Sequence, residues 1–135
     1  MATLDELAAY LATELSLAVG TTIFKHSLPA TPDACLVVRG SGGSPSLLAL
    51  GSEGIQFEYP SVQVVSRGAP RDWATPQAQA ENAYRALAKI QAESLSGTPY
   101  LIIQPLNPPS DVLGEDEKQR PRVSFNIVIE KELSV

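Results

Sequence analysis

Residues 122–131 alternate between two kinds of side chain, with Val123, Phe125, Ile127 and Ile129 on one side and Ser124, Asn126 and Glu130 on the other. Side chains of a strand point to opposite faces in turn, so this period predicts a sheet with one buried and one solvated face. The buried face needs a cover, and two helical patterns supply it. In residues 3–19, Leu4, Leu7, Ala8, Leu11, Leu15 and Ala18 recur at helical spacing, with Thr3 and Glu6 placed as a capping box and Gly20 as a stop. In residues 75–97, Thr75 is placed to cap and Pro76 to open a second helix. Its buried stripe is Ala80, Ala83, Tyr84, Leu87 and Ile90, its surface pairs are Glu81 with Arg85 and Lys89 with Glu93, and Gly97 ends it.

Strand patterns fill the rest. Residues 22–25 are a short β-prone stretch, 28–33 a proline-rich turn, and 34–39 an apolar strand broken by Gly40-Ser41-Gly42-Gly43-Ser44-Pro45. Residues 47–50 and 55–59 form a hairpin around Gly51 to Gly54, Pro60 kinks the strand or holds it on an edge, and pairing resumes at 62–67. Residues 100–104 are a buried strand, followed by a long loop over 105–119. Helices and strands are segregated, which predicts an α+β fold: two helices packed on one face of a mostly antiparallel β-sheet, with long loops at 40–54 and 105–119. At 135 residues with 44% apolar side chains, the expected organisation is one domain over residues 1–135.

Charge and residue type narrow the function classes. Ten Lys and Arg stand against 15 Asp and Glu, net −5, without a basic run, which excludes a clustered phosphate-binding surface. One Cys and one His allow no disulfide within the chain and no Cys/His zinc site from a single copy. The longest apolar run, residues 7–12, falls well short of the roughly 20 residues that cross a bilayer, so no membrane partner is expected. Asp5 and Glu6 precede the first cation, Lys25, which is unlike a targeting signal; a soluble, intracellular chain is expected.

Candidate chemistry is sparse. Cys35 and His26 are a conceivable thiolate–imidazole pair, but Cys35 sits in an apolar strand and reads as a small hydrophobe. The glycines at 40–43 follow a strand as phosphate loops do, yet no helix follows them. Asp111, Glu115, Asp116 and Glu117 lack the ligand spacing of a calcium loop and stand beside Lys118, Arg120 and Arg122, as in a solvated mixed-charge loop. Trp73, the only Trp, reads as packing at the entry to the second helix. No metal site and no cofactor is expected, and what remains is a protein whose function is its surface.

The order of motifs adds a further observation. A short N-terminal helix is followed by the turn from Leu28-Pro29 to Asp33 and the strand Ala34-Cys35-Leu36-Val37-Val38. Next come Pro60-Ser61-Val62-Gln63-Val64 with Arg67, a helix carrying Ala83-Tyr84 and Leu87, and Leu113-Gly114-Glu115-Asp116-Glu117-Lys118-Gln119-Arg120 with Ser124 and Asn126. Over nearly the whole chain this resembles the minor capsid or tail-terminator proteins of long-tailed bacteriophages.

The resemblance implies a structural virion protein, not an enzyme, assembled in the host cytoplasm. Its subunits form a ring, usually a homohexamer, on the head-proximal end of the tail tube, where it halts tube growth and faces the head connector or stopper protein. DNA would pass through the acidic lumen without specific binding. Carried over by position, Gln63 and Arg67 fall in the strand motif and Asp116, Arg120 and Asn126 in the C-terminal motif, and these are the expected subunit and tube contacts. Plain structural uses stand beside that role: Gln63 and Arg67 as solvated sheet residues, Asp116 with Arg120 as a local ion pair. Residues 46–58 read as an extra hairpin outside the family pattern. Two alternatives stay open: a stopper or adaptor of the head–tail connector, and a small ligand-binding or hydrolase domain using Cys35 and His26 or a pocket under Trp73.

Overall fold

The computed structural model describes residues 3–48 and 55–134. Its elements are α1 (Thr3–Leu15), β1 (Ile23–Lys25), β2 (Cys35–Leu48), β3 (Ile55–Arg67), α2 (Ala74–Ala88), β4 (Gln91–Leu95), β5 (Thr98–Pro105) and β6 (Arg122–Ser134). The strands form one sheet in the order β1-β2-β3-β6-β5-β4, with β1 parallel to β2 and the other neighbours antiparallel. The α+β class expected from the sequence is the one found.

The strand period decides the two faces. Leu36, Val38, Val62, Val64, Phe125, Ile127 and Ile129 point towards the helices and are buried with Leu7, Leu11, Ala83 and Leu87. Tyr84 of α2 meets Phe125 edge to face, ring centroids 5.5 Å apart. The opposite phase carries Arg39, Gln63 and Asn126, which lie in register across β2, β3 and β6 on the helix-free face. Ser124 shares that face but is buried, because the chain at Ser110 pairs with it and covers it.

Several element boundaries differ from expectation. The first helix ends at Leu15 rather than 19: Ser16 adopts φ 56°, and Leu17 donates its N–H to the Ala12 carbonyl at 2.9 Å, a helix-closing pattern more often built on glycine. Thr3 and Glu6 form no capping box, since the Glu6 carboxylate turns into the core. At the second helix Thr75 lies inside the first turn. Asp72 does the capping, its Oδ1 accepting the Thr75 N–H at 3.3 Å, and hydrogen bonding from the Thr75 side chain, then from its N–H, holds the Asp72 carboxyl below its ordinary value.

The second helix stops at Ala88, and residues 91–95, expected as its last turns, are strand β4. Gln-Ala-Glu-Ser-Leu has helical composition, but Ala92 adopts φ 52°, and Ser96 and Gly97, both at positive φ, make a two-residue turn between Leu95 and Thr98. The expected Lys89–Glu93 helical pair is therefore absent, while Glu81 and Arg85 remain paired at 4.0 Å.

The glycine stretch at 40–43 does not break the strand. β2 runs through it with register shifts at Gly40/Gly42 and Ser44/Leu47, so the expected hairpin strands become the outer ends of β2 and β3; its tip, 49–54, lies outside the described residues. Pro60 sits within β3, a central strand, neither kinking it apart nor on an edge. Opposite it stands Gly43, where a Cβ would lie 2.6 Å from the Tyr59 carbonyl oxygen, so only glycine permits this approach. On the other side the ladder passes from Glu58↔Lys131 to Ser61↔Val128, and the donor that proline lacks falls in the interval.

Candidate functional site

Three arginines fasten the turn 28–33 and the loop 106–121 to the end of the sheet. Arg67, at the end of β3, is 2% exposed and donates from Nε to the Asp33 carbonyl and from Nη2 to the Pro32 carbonyl, both at 2.8 Å. Arg120 donates from Nε to Asp116 Oδ2 at 2.8 Å and from Nη1 to the Ala30 carbonyl at 2.8 Å and Asp33 Oδ1 at 3.3 Å. Arg122 donates to the carbonyls of Leu113 at 2.6 Å and Gly114 at 3.2 Å. The loop is thereby held as a defined surface instead of a free excursion. It is tied further by Gly68 N–H to the Pro121 carbonyl and by Arg71 to Gln119 through main chain and side chain.

Asp116 is the hinge of this arrangement. Its Oδ1 accepts the N–H groups of Lys118 and Arg120 at 2.9 and 3.0 Å, and its Oδ2 accepts the guanidinium. Burial opposes its ionisation, but the Arg120 and Lys118 hydrogen bonds and the Arg120 charge outweigh that and hold the carboxyl below its ordinary value. Both oxygens are thus engaged within the loop, while Asp111, Glu115 and Glu117 face solvent.

The five residues expected at a contact surface separate into two groups. Arg67, Asp116 and Arg120 meet around Asp33, with both arginine side chains turned inward as braces. Gln63 and Asn126 are register partners further along the helix-free face. Residues the motif reading missed complete that polar row: Arg39 Nε donates to Gln63 Oε1 at 2.7 Å, and Asn107 Oδ1 accepts the Asn126 N–H at 3.0 Å and its Nδ2 at 3.2 Å. The signal for Arg39 was its strand parity, the same as that of Val37 and Cys35; for Asn107 there was none before the loop was seen to fold back.

A second polar cluster lies inside the molecule, on the helix side. Glu6 Oε1 accepts the Tyr100 hydroxyl at 2.9 Å and Lys131 Nζ at 3.1 Å, and Lys131 also meets Glu58 Oε1 at 3.1 Å. Glu6 is fully buried and Lys131 is 4% exposed. The ammonium stands 5.5 Å from the centroid of the Tyr100 ring. Burial, then the hydrogen bond to Glu6, pushes the Tyr100 hydroxyl far above its ordinary value. Among the described residues nothing donates to Glu6 Oε2, and a buried acceptor left in that state costs about 1–3 kcal/mol.

Cys35 and His26 are not brought together. Lys25 pairs with Val38 in the parallel β1–β2 ladder, so His26 stands beside Arg39, four rungs and about 13 Å from Cys35 at the usual strand rise. Cys35 is 1% exposed, and burial raises its thiol pKa despite the opposing charges of Arg67 and Arg120. A thiol in that state is a poor nucleophile. We expect an aromatic disulfide reagent at pH 8 to label native Cys35 on the order of 100-fold more slowly than the denatured chain; equal rates would show an accessible thiolate and reopen the nucleophile reading.

No curated protein sequence matches the chain. Among solved structures, a chain from the virion of a native gene transfer agent particle aligns with a TM-score of 0.53 at 16% identity, covering 93% of this chain and 84% of that one, so the two share a fold. The family model described as bacteriophage tail terminator protein matches residues 10–133. The chain belongs to the bacteriophage tail terminator protein family, and is a structural tail-completion component of the virion.

Proposed function

We propose that the chain acts as one terminator domain, closing into a six-membered ring on the head-proximal end of the tail tube, stopping tube growth and presenting its far face to the head connector. The observation that carries this reading beyond family membership is the braced loop 106–121. A ring requires a heterologous contact, in which one surface of a subunit meets a different surface of its neighbour and the rotation closes. The loop is suited to one half of such a contact: it is pinned by Arg120 and Arg122, yet it exposes Leu106 and Val112 at 60% and 78%. The stretch 40–54 expected as a loop is the proposed second contact, through its described part, Gly40 to Leu48 of β2. The net charge of −5 suits a lumen through which DNA slides by mutual repulsion, without specific binding.

The test is solution mass by light scattering with negative-stain imaging, on the free protein and on protein mixed with assembled tail tube. Six copies of a 14.4 kDa chain weigh about 86 kDa. We expect closed six-fold rings and tubes capped at one end. Open filaments, or a fixed dimer that leaves tube ends growing, would defeat the proposal, and rings seated on portal instead of tube would point to a stopper.

A further inference from the structure

Among the described residues the three most exposed large apolar side chains are Val112, Leu106 and Val19. Two of them stand on the braced loop. Val112 is held out on a fixed turn: Ser110, two residues before it, exchanges main-chain hydrogen bonds with Ser124, both at 2.9 Å, and Gly114 donates its N–H to the Asp111 carbonyl at 2.8 Å. A side chain presented in this way gives up little freedom when it docks. Around it Asp111, Glu115 and Glu117 face solvent, against one exposed cation of the loop, Lys118.

The third, Val19, lines an apolar groove at the β1 edge of the sheet. The groove has a volume of about 470 Å³ and is walled by Val19, Ile23, Phe24 and Pro29, with Lys25 and His26 beside them; among the described residues its lining includes no carboxylate. Lys25 leans on Asp5 of α1. The groove is preformed, since Gly20 donates its N–H to the Ile23 carbonyl at 2.7 Å, Ile23 to the Ala18 carbonyl at 3.0 Å, and His26 to the Val38 carbonyl at 2.9 Å. Groove and loop are different surfaces, because β2 and β3 separate β1 from β6, the strand to which the loop is tied at Ser110.

Resting on the ring reading above, we propose that the Val112 turn of one copy seats in this groove of a second copy. A protruding apolar side chain that fits a pocket elsewhere on an identical molecule makes a head-to-tail contact, the kind a ring repeats. Val112 covers Val19 and Phe24, which the free subunit leaves partly wet. The Asp111 carboxylate, an acceptor only, meets a lining whose His26 and Lys25 supply N–H donors. The loop thus finds both an apolar seat and a donor-bearing rim on the same neighbour.

The test places cysteines at these two exposed positions and treats the full chain with a short bis-maleimide, free and mixed with assembled tail tube; native Cys35 is buried and does not compete. The expected result for Val19→Cys/Val112→Cys is a ladder of linked copies ending at six. Mixing the two single variants gives linked pairs only, and neither single variant links alone. In the otherwise native chain, Val112→Asp weakens association about tenfold and leaves Tm unchanged, because the side chain is exposed in the free subunit. Linked pairs that extend no further keep the contact and defeat the ring. Rings without linkage between the two positions, linkage within one chain, equal linking in a single variant, or unaltered association of Val112→Asp overturn the contact and leave the ring standing. A chain that forms neither rings nor links in either setting overturns both.

Discussion

Replacing Lys131 by methionine is expected to lower the unfolding free energy by about 3–5 kcal/mol, because it keeps the packing of the stem but leaves Glu6 buried without a cation. For a chain of this size that is a fall in Tm on the order of 10–20 °C. The loss belongs to the orphaned carboxylate more than to the missing bond, so the double variant Glu6→Gln/Lys131→Met should recover a large part of it. Chemical denaturation of the wild type, both single variants and the double variant gives the cycle. A double variant as unstable as the sum of the singles would show that the two residues act separately. The Glu58 carboxylate, 29% exposed, keeps access to water and adds less.

Arg120→Ala removes the brace shared by the turn and the loop, and we expect a loss of about 2–3 kcal/mol, smaller than at Lys131 because Asp116 and Asp33 are 16% and 48% exposed and rehydrate. Amide exchange should speed up in residues 30–33 and 111–121 far more than in the helices. Acid dependence supplies a second reading of the same variant. A carboxyl held below its ordinary value contributes stability above that value and loses it as falling pH protonates the folded form, so wild-type loop docking weakens towards low pH. In Arg120→Ala that acid-sensitive part shrinks. On the assembly side, Asp116→Arg and Arg120→Asp should each weaken ring formation, and joining them should restore part of it. Unaltered assembly in both single variants would remove the pair from the contact surface.

The sheet and its covering helices were legible because period two and period 3.6 are properties of single segments. The same parity that placed Val123, Phe125, Ile127 and Ile129 inward also placed Lys131 inward, and extending β3 from Val64 and Val62 does the same for Glu58; a charge on the buried phase was the available sign of the internal cluster. Residues 91–95 were misread because their composition favours helix, and only pairing with β5 overrides it. The braces around Asp33 were illegible for another reason. Arg67 and Arg120 reach partners 34 and 87 positions away, a proximity created by the fold and not by any spacing. Motif position singled out the right arginines, but nothing local said they would point inward.

The sheet order also sets the timing of folding. β6, which follows the other five strands in the sequence, is inserted between β3 and β5 and supplies Phe125, Ile127 and Ile129 to the centre of the core. Until it is in place, β3 and β5 have no common neighbour, and α2 lacks one of the strands it packs against. Such dependence on distant pairing makes folding slow and late. It also means that the helix-free face of the sheet is complete only once β6 has joined its two halves, so a partly folded subunit has no finished surface to offer a neighbour.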